Sequence, residues 1–141
     1  MPRTSNKREK LLEAATELIH QQGFKHTTLA YIAEKSEVPL GNVYYYFKTK
    51  DDIMHAVVEA RVQVYSEILQ SCEQKSSEPC QRLLCFSNML SDFEDSIVVT
   101  GCPIGTLCSE LAKDDGNLQE ASRAVFSLLR NWLAEQFSAL N

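Results

Sequence analysis

The stretch that most constrains the fold is residues 27–50, which reads as two short helices separated by a tight turn. Apolar residues recur at helical spacing in its first half, at Leu29, Ile32 and Ala33. A proline disfavours helical angles in the residue before it and suits the start of a new helix. We therefore expect a turn at residues 36–38 and a second short helix from Pro39 to Phe47.

The second short helix is predicted to have two different sides. Its apolar underside is formed by Leu40, Val43 and Phe47, which share one stripe. At about 100° per residue, the outward side carries Gly41, Asn42, Tyr44 and Tyr45. Solvent-facing helices usually carry Lys, Glu and Gln, so this outward side indicates contact with another molecule.

The chemistry of that outward side suits duplex DNA. Gly41 permits a close approach to the rim of a major groove, and Asn42 can pair with base edges or phosphate. The phenols of Tyr44 and Tyr45 can donate to phosphate or contact a thymine methyl group. The stretch therefore predicts a helix-turn-helix unit that binds DNA.

Further residues beside this helix are candidate phosphate contacts. Lys48 and Lys50 follow it and can neutralise phosphates. Thr28 precedes the first short helix, where its hydroxyl can cap that helix or donate to a phosphate.

The run from Val38 to Lys50, VPLGNVYYYFKTK, resembles the recognition helix of the tetracycline-repressor (TetR) family of transcriptional regulators. Upstream pairs also fall where that family has them, at Gly23-Phe24, Thr27-Thr28 and Ile32-Ala33. The resemblance covers residues 7–55. Two residues depart from the pattern: Leu40 stands where the family often has Lys, and Pro39 where Ser often caps the helix. Both departures weaken phosphate contacts without disturbing the fold.

The resemblance implies an all-α protein with two parts. Residues 1–50 would form a three-helix DNA-binding domain, and residues 51–141 a helical regulatory and dimerisation domain that lacks the family's last two helices. We expect a shortened member, or one that dimerises through its own final helix. Arms such as residues 1–6 often lie near the minor groove in this family, so Arg3 is either a DNA contact or part of a loose terminus.

Caps and apolar periods predict the remaining helices. They span residues 7–22 with an Asn6 and Glu9 capping box, 50–72 after Thr49, 79–95, 102–111, and a last helix from Asn117. The helix after Thr49 would connect the DNA-binding part to the body, so a tilt in it could move the recognition helix.

A small-molecule pocket is expected in the helical body. Its candidate residues are Tyr65, Phe86, Leu90, Phe93, Cys102 and Trp132. Trp132 is either a pocket residue or part of the core. Cys102 opens a second family-like pattern that leads to Glu110-Leu111, and some relatives sense electrophiles with a cysteine there; the alternative is a small buried core residue.

Charge divides the chain at the same place as the resemblance. Residues 1–50 carry eight Lys and Arg against five Asp and Glu, a net of +3, whereas residues 51–141 carry a net of −8. The positive end is therefore the end expected to face DNA. No apolar run is long enough to span a bilayer, and we expect a soluble, cytoplasmic protein without membrane contact.

The reactive side chains favour no catalytic or metal site. The five cysteines form no C-x-x-C pair, and their odd number indicates reduced thiols and not a disulfide framework. No Ser, His and acid set, phosphate loop or metal-ligand spacing is present, so we expect no enzyme, no cofactor and no metal.

The function predicted from the sequence is a DNA-binding transcriptional regulator, with a palindromic DNA operator, a small-molecule effector and a second copy of the chain as partners. It would be a repressor released by the effector. Two alternatives stay open. One is a ligand-binding or interaction module that has lost operator binding, and the other is a cysteine-based electrophile or redox sensor.

Overall fold

The computed structural model describes residues 3–113 and 116–140, with side chains from residue 6 onward, and the regular secondary structure of these residues is entirely α-helical. This confirms the predicted all-α class. The described residues form eight helices: α1 (Arg3–Gln22), α2 (Leu29–Ser36), α3 (Leu40–Tyr46), α4 (Lys50–Lys75), α5 (Pro79–Ser91), α6 (Glu94–Thr100), α7 (Gly105–Leu111) and α8 (Asn117–Ser138).

Helices α1, α2 and α3 form a compact unit, which we call the head. Gly23 ends α1 with a φ of 87°, and the Thr27 hydroxyl donates to its carbonyl over 2.8 Å. Thr28 caps α2 by accepting from the backbone N–H of Tyr31 at 3.1 Å. The chain then turns through Glu37, whose φ of 58° is left-handed, and α3 begins after Pro39.

Helix α4 connects the head to the rest of the chain. It opens with the predicted capping box, in which Thr49 and Asp52 bond each other's backbone N–H groups. One apolar core runs from α1, α2 and α3 across Ile53, Met54 and Val57 of α4 to α7 and α8. The head therefore shares a core with helices α4–α8, which we call the body, and the two are not joined by a loose linker.

A second, smaller core lies further along α4, between α4, α5 and α8. Phe86 and Trp132 pack there with ring centroids 5.8 Å apart, and the indole N–H of Trp132 donates to Glu73 at 2.7 Å. Cys72 and Cys85 are joined by a disulfide with a Cα–Cα distance of 5.7 Å. The prediction of reduced thiols throughout was wrong for this pair, because packing of α4 on α5 brings together cysteines with no recognisable spacing.

Several predicted helix ends also need correction. Helix α1 begins at Arg3, not Lys7, because no helix breaker separates those residues. The Asn6 cap and a loose arm over residues 3–6 were therefore wrong, while residues 1 and 2 lie outside the described residues. The helix predicted to end at Asp95 ends at Ser91, and α6 follows it. Three carboxylates, on Asp92, Glu94 and Asp95, disfavour a helix C-terminus and favour the first turn of a new helix.

No helix in the described part of the chain combines the length and the apolar character needed to cross a membrane. Within the same residues, no group of three or more His, Cys, Asp and Glu side chains is placed to hold a metal ion.

Candidate DNA interface and the cavity behind it

The predicted contact residues on α3 form one outward surface, the α3 face, made of Gly41, Asn42, Tyr44 and Tyr45. Tyr45 is 77% exposed and Tyr44 is 50% exposed, while Asn42 is half-buried. A Cβ added at Gly41 would meet no atom within 4 Å, so the backbone there is open to a large partner. The role of this face at DNA stays a prediction.

Packing underneath holds the α3 face outward. Val43 and Phe47 are buried at 0% and 4% exposure and fix α3 on the head. Leu40, predicted to share that stripe, is 40% exposed, because it lies in the first turn of α3 where the chain leaves the α2–α3 turn. The ring of Tyr45 is supported by an edge-on contact with Tyr46 at 5.0 Å.

The other predicted phosphate contacts are placed differently from one another. Lys48 and Thr28 are exposed. The ammonium of Lys50 lies 4.2 Å from the ring centre of Phe24. Burial lowers the pKa of Lys50, and the carboxylates of Glu110 and Asp51 oppose that shift. Lys50 would therefore have to leave this contact to reach a phosphate. The side chain of Arg3 lies outside the described residues.

A cavity of about 190 Å³ lies behind the head, between α1, α4 and α7. Thr16, Ile19 and His20 of α1 form one wall, and Val57 and Arg61 of α4 form another. Thr106, Leu107 and Glu110 of α7 face them. A more open cavity of about 410 Å³ runs along α1 and α4 and shares His20 and Arg61 with the first.

Hydrogen bonds across this cavity tie α1 to the body. The carboxylate of Glu110 accepts from the backbone N–H of Phe24. His20 Nε2 lies 3.1 Å from the carbonyl oxygen of Gly101 and 3.0 Å from the hydroxyl of Thr100. Because a carbonyl can only accept, Nε2 carries the proton.

Arg61 is the least satisfied polar group of the cavity wall. Its Nε is buried and has no hydrogen-bond partner among the described residues. Burial lowers the pKa of the guanidinium, with Tyr65 and Cys102 opposing the shift, yet an arginine stays charged at neutral pH. Arg61 was not among the site residues predicted from the sequence, although a charged residue within the apolar stripe of α4 was a usable signal.

The six predicted pocket residues are not gathered around either cavity. Phe86 and Trp132 pack in the second core. Leu90 and Phe93 are 44% and 52% exposed. Tyr65 and Cys102 lie close enough to Arg61 to influence its pKa but line neither cavity. Cys102 is exposed, so the alternative of a buried core residue does not hold.

The head of the chain matches a known protein family. The model of a family described as bacterial regulatory proteins, tetR family, matches residues 11–57, which span most of α1, all of α2 and α3, and the start of α4. The matched region contains the α3 face.

Two relatives extend the similarity into the body. An uncharacterized HTH-type transcriptional regulator in the lacX 3′ region of Lactococcus lactis subsp. lactis is 29% identical over 137 residues, covering 96% of this chain and 70% of that protein. The HTH-type transcriptional repressor NemR of Escherichia coli strain K12 is 28% identical over 130 residues, covering 86% of this chain and 64% of that protein.

Solved structures match the same architecture. The regulatory protein TetR from Rhodobacter sphaeroides superimposes with a TM-score of 0.82 at 24% identity, covering 93% of this chain and 70% of that one. A TetR transcriptional regulator from Legionella pneumophila gives 0.83 at 20% identity, covering 99% and 74%. At these identities the likeness concerns the fold, which includes both the head and the helical body.

Proposed function

Because the chain belongs to the tetR family of bacterial regulatory proteins and is a DNA-binding transcriptional regulator, we propose that it is a repressor that binds a palindromic operator as a homodimer. The observation that carries this proposal is the α3 face, which offers an open glycine, an amide and two phenols on a helix fixed from below by Val43 and Phe47. A helix of this kind enters the major groove and reads base edges.

The proposed division of labour follows the charge of the chain. Residues 1–50, with a net charge of +3, would bind DNA, and residues 51–141, with −8, would form the regulatory and dimerisation part. The negative body repels phosphates and so directs the α3 face, not the body, towards the duplex. We place this binding in the cytoplasm, where the operator would lie.

Dimerisation is required because one head covers only one half-site. Two heads must occupy major grooves about 34–36 Å apart, or a multiple of that distance, to read a palindrome. Helix α8 offers a surface for this purpose, since Phe126 and Phe137 are 56% and 58% exposed along it. A small-molecule effector that binds the body would favour a different head spacing and thereby weaken operator binding.

The test is titration of the purified full chain against a fluorescent duplex from upstream of its own gene. Tyr44→Ala and Tyr45→Ala should each weaken binding by about five- to 150-fold, because each removes a contact worth about 1–3 kcal/mol. Tyr44→Phe separates the hydroxyl from the ring. Phe93→Ala, an exposed aromatic on the α5–α6 connection, is the matched control and should bind as the parent does.

Two outcomes would contradict the proposal. If the parent does not shift the duplex at any protein concentration, the chain is a module that has lost operator binding. If light scattering shows a monomer both alone and on DNA, reading of a palindrome by two heads is excluded.

A further inference from the structure

The buried, unpartnered Nε of Arg61 is the feature of the cavity that most needs an explanation. Leaving a buried donor without an acceptor costs free energy, and the cost rises when the group is charged. The one ion pair among the described side chains joins Lys35 to Glu17, so Arg61 has no acidic partner within that part of the chain. A guanidinium in this condition is suited to an anion that is not part of the chain.

The other polar groups of the cavity are already engaged. The hydroxyls of Thr16 and Thr100 donate to backbone carbonyls of their own helices, at 2.7 and 2.8 Å, and that of Thr106 donates to the carbonyl of Cys102. The Glu110 carboxylate accepts from Phe24 N–H. Arg61 is therefore the donor that remains available to a ligand.

The rest of the lining is apolar and the space is small. Ile19, Val57, Pro103 and Leu107 contribute hydrocarbon surface. A volume of about 190 Å³ is what about six water molecules occupy in the liquid. It is smaller than the roughly 300–1,000 Å³ of pockets that bind drug-sized ligands. The cavity fits one anionic group with a short apolar chain.

We propose that this cavity binds a short-chain monocarboxylate, with the carboxylate on the Arg61 guanidinium and the hydrocarbon chain against Ile19, Val57 and Leu107. A carboxylate matches the fork of an arginine, so two N–H groups can donate to its two oxygens. Phosphate lacks an apolar part and would bring a second negative charge close to Glu110, which lines the same cavity. An apolar ligand without charge would leave Arg61 unpaired.

The position of the site connects it to DNA binding, and this part of the inference rests on the proposed function. Thr16, Ile19 and His20 belong to the head, whereas Thr106 and Leu107 belong to the body. A ligand between them contacts both and changes the angle at which α1 packs on α7. By reciprocity, a ligand that fits one angle better must alter operator affinity in proportion.

The experiment uses butyrate as the probe and its neutral isostere butyramide as the control, at matched ionic strength, with thermal unfolding and calorimetric titration of the full chain. We expect butyrate to raise the melting temperature in a saturable manner, with a dissociation constant in the millimolar range or below. Butyramide should have no such effect. If the two compounds act alike, or neither binds, the proposal is overturned, and this comparison needs no variant.

A pair of variants then tests Arg61 itself. Arg61→Met keeps the length of the side chain and removes its donors, and we expect butyrate affinity to fall at least about tenfold. Arg123→Met, at an exposed arginine of α8, should bind butyrate as the parent does. The melting temperature without ligand shows whether the variant loses a binding group or a structural one. The melting temperature of Arg61→Met should equal or exceed that of the parent, because the substitution removes an unpaired buried group. A clear fall in that temperature would assign Arg61 a purely structural role and overturn the proposal.

Failure of this inference can be distinguished from failure of the proposed function. Butyrate binding is measured without DNA. If butyrate binds but leaves operator binding unchanged, only the coupling between the cavity and the operator is overturned. Absence of operator binding with intact butyrate binding overturns only the proposed repressor. If both hold, butyrate should weaken operator binding by the parent and leave Arg61→Met unaffected.

Discussion

The side-chain carboxylate of Glu110, on α7, accepts a hydrogen bond from the backbone N–H of Phe24, at the turn between α1 and α2. The second oxygen of Glu110 lies 2.7 Å from the point where a Cβ would stand at Gly23. A side chain at that position would displace the carboxylate, and Gly23 also has a φ of 87° that other residues rarely adopt. One residue of the body is thus bonded directly to the backbone of the head.

Glu110→Ala should therefore destabilise the chain by about 1–3 kcal/mol, because the Phe24 N–H loses its acceptor. Glu110→Gln keeps an acceptor oxygen and should lose less. Urea unfolding measures both changes, and hydrogen exchange at the Phe24 amide reports the bond itself. Glu59→Ala, an exposed carboxylate on α4, is the control and should change stability by less than about 0.5 kcal/mol. Equal stability of the two alanine variants would show that the bond contributes nothing.

Lys48 is exposed just after α3, and its predicted phosphate contact has a distinct signature in salt. Each phosphate contact adds about 0.9 to the slope of log affinity against log salt concentration. We expect Lys48→Ala to reduce that slope by about this amount per protomer, with similar weakening on all sequences. Lys75→Ala is the matched control, because Lys75 is exposed at the far end of the 26-residue α4. An unchanged slope would remove Lys48 from the interface.

Features set by neighbouring residues could be predicted from the sequence. The turn before α3 follows from Pro39, and the start of α4 follows from Thr49 and Asp52, because each depends on backbone groups within a few positions. The burial of Val43 and Phe47 agrees with the predicted helical period, although Leu40 of the same stripe is 40% exposed. These local rules are sufficient to place the α3 face.

Features set by contacts between distant residues could not be predicted. Glu110 and Phe24 are separated by 86 positions, and Cys72 and Cys85 meet only because α4 packs on α5. The cavity at Arg61 is lined by residues of four helices, α1, α4, α6 and α7, and no spacing in one of them reveals it. The six residues predicted to form a ligand pocket line neither of the two cavities described above, since side-chain type does not determine which helices enclose a space; their role at a ligand stays a prediction.

Glu37 provides a test of backbone strain in the turn between α2 and α3. Its φ of 58° is left-handed, which costs a residue with a Cβ about 1–2 kcal/mol. Glu37→Gly removes that cost but loses about 0.5–1 kcal/mol to the greater freedom of glycine in the unfolded chain. We expect a net gain of up to about 1.5 kcal/mol in the free energy of unfolding, measured in urea.

The matched control for this substitution is Glu34→Gly. Glu34 is also exposed but lies inside α2, where glycine should cost about 1 kcal/mol. Opposite signs for the two substitutions would locate the strain at position 37. If both variants lose stability by similar amounts, the left-handed turn carries no measurable strain.

The phenol of Tyr65 should make stability depend on pH in alkaline solution. Burial raises its pKa above the ordinary value of 10.0, although Arg61 opposes the shift. Above about pH 10 the unfolded chain therefore loses this proton while the folded chain retains it, and stability falls as pH rises. The free energy of unfolding of the parent should fall relative to that of Tyr65→Phe by at most about 1.4 kcal/mol per pH unit in that range.

The Cys72–Cys85 disulfide closes a loop between α4 and α5 with a sequence separation of 13. A cross-link of that length restricts the unfolded chain and contributes about 3 kcal/mol. Reduction by dithiothreitol should lower the free energy of unfolding by up to that amount, measured in urea with and without the reductant. The double variant Cys72→Ala, Cys85→Ala should not respond to the reductant, whereas Cys80→Ser, at an exposed free thiol, should respond fully. Alkylation of all five cysteines in the native, unreduced protein would show that the bond does not form.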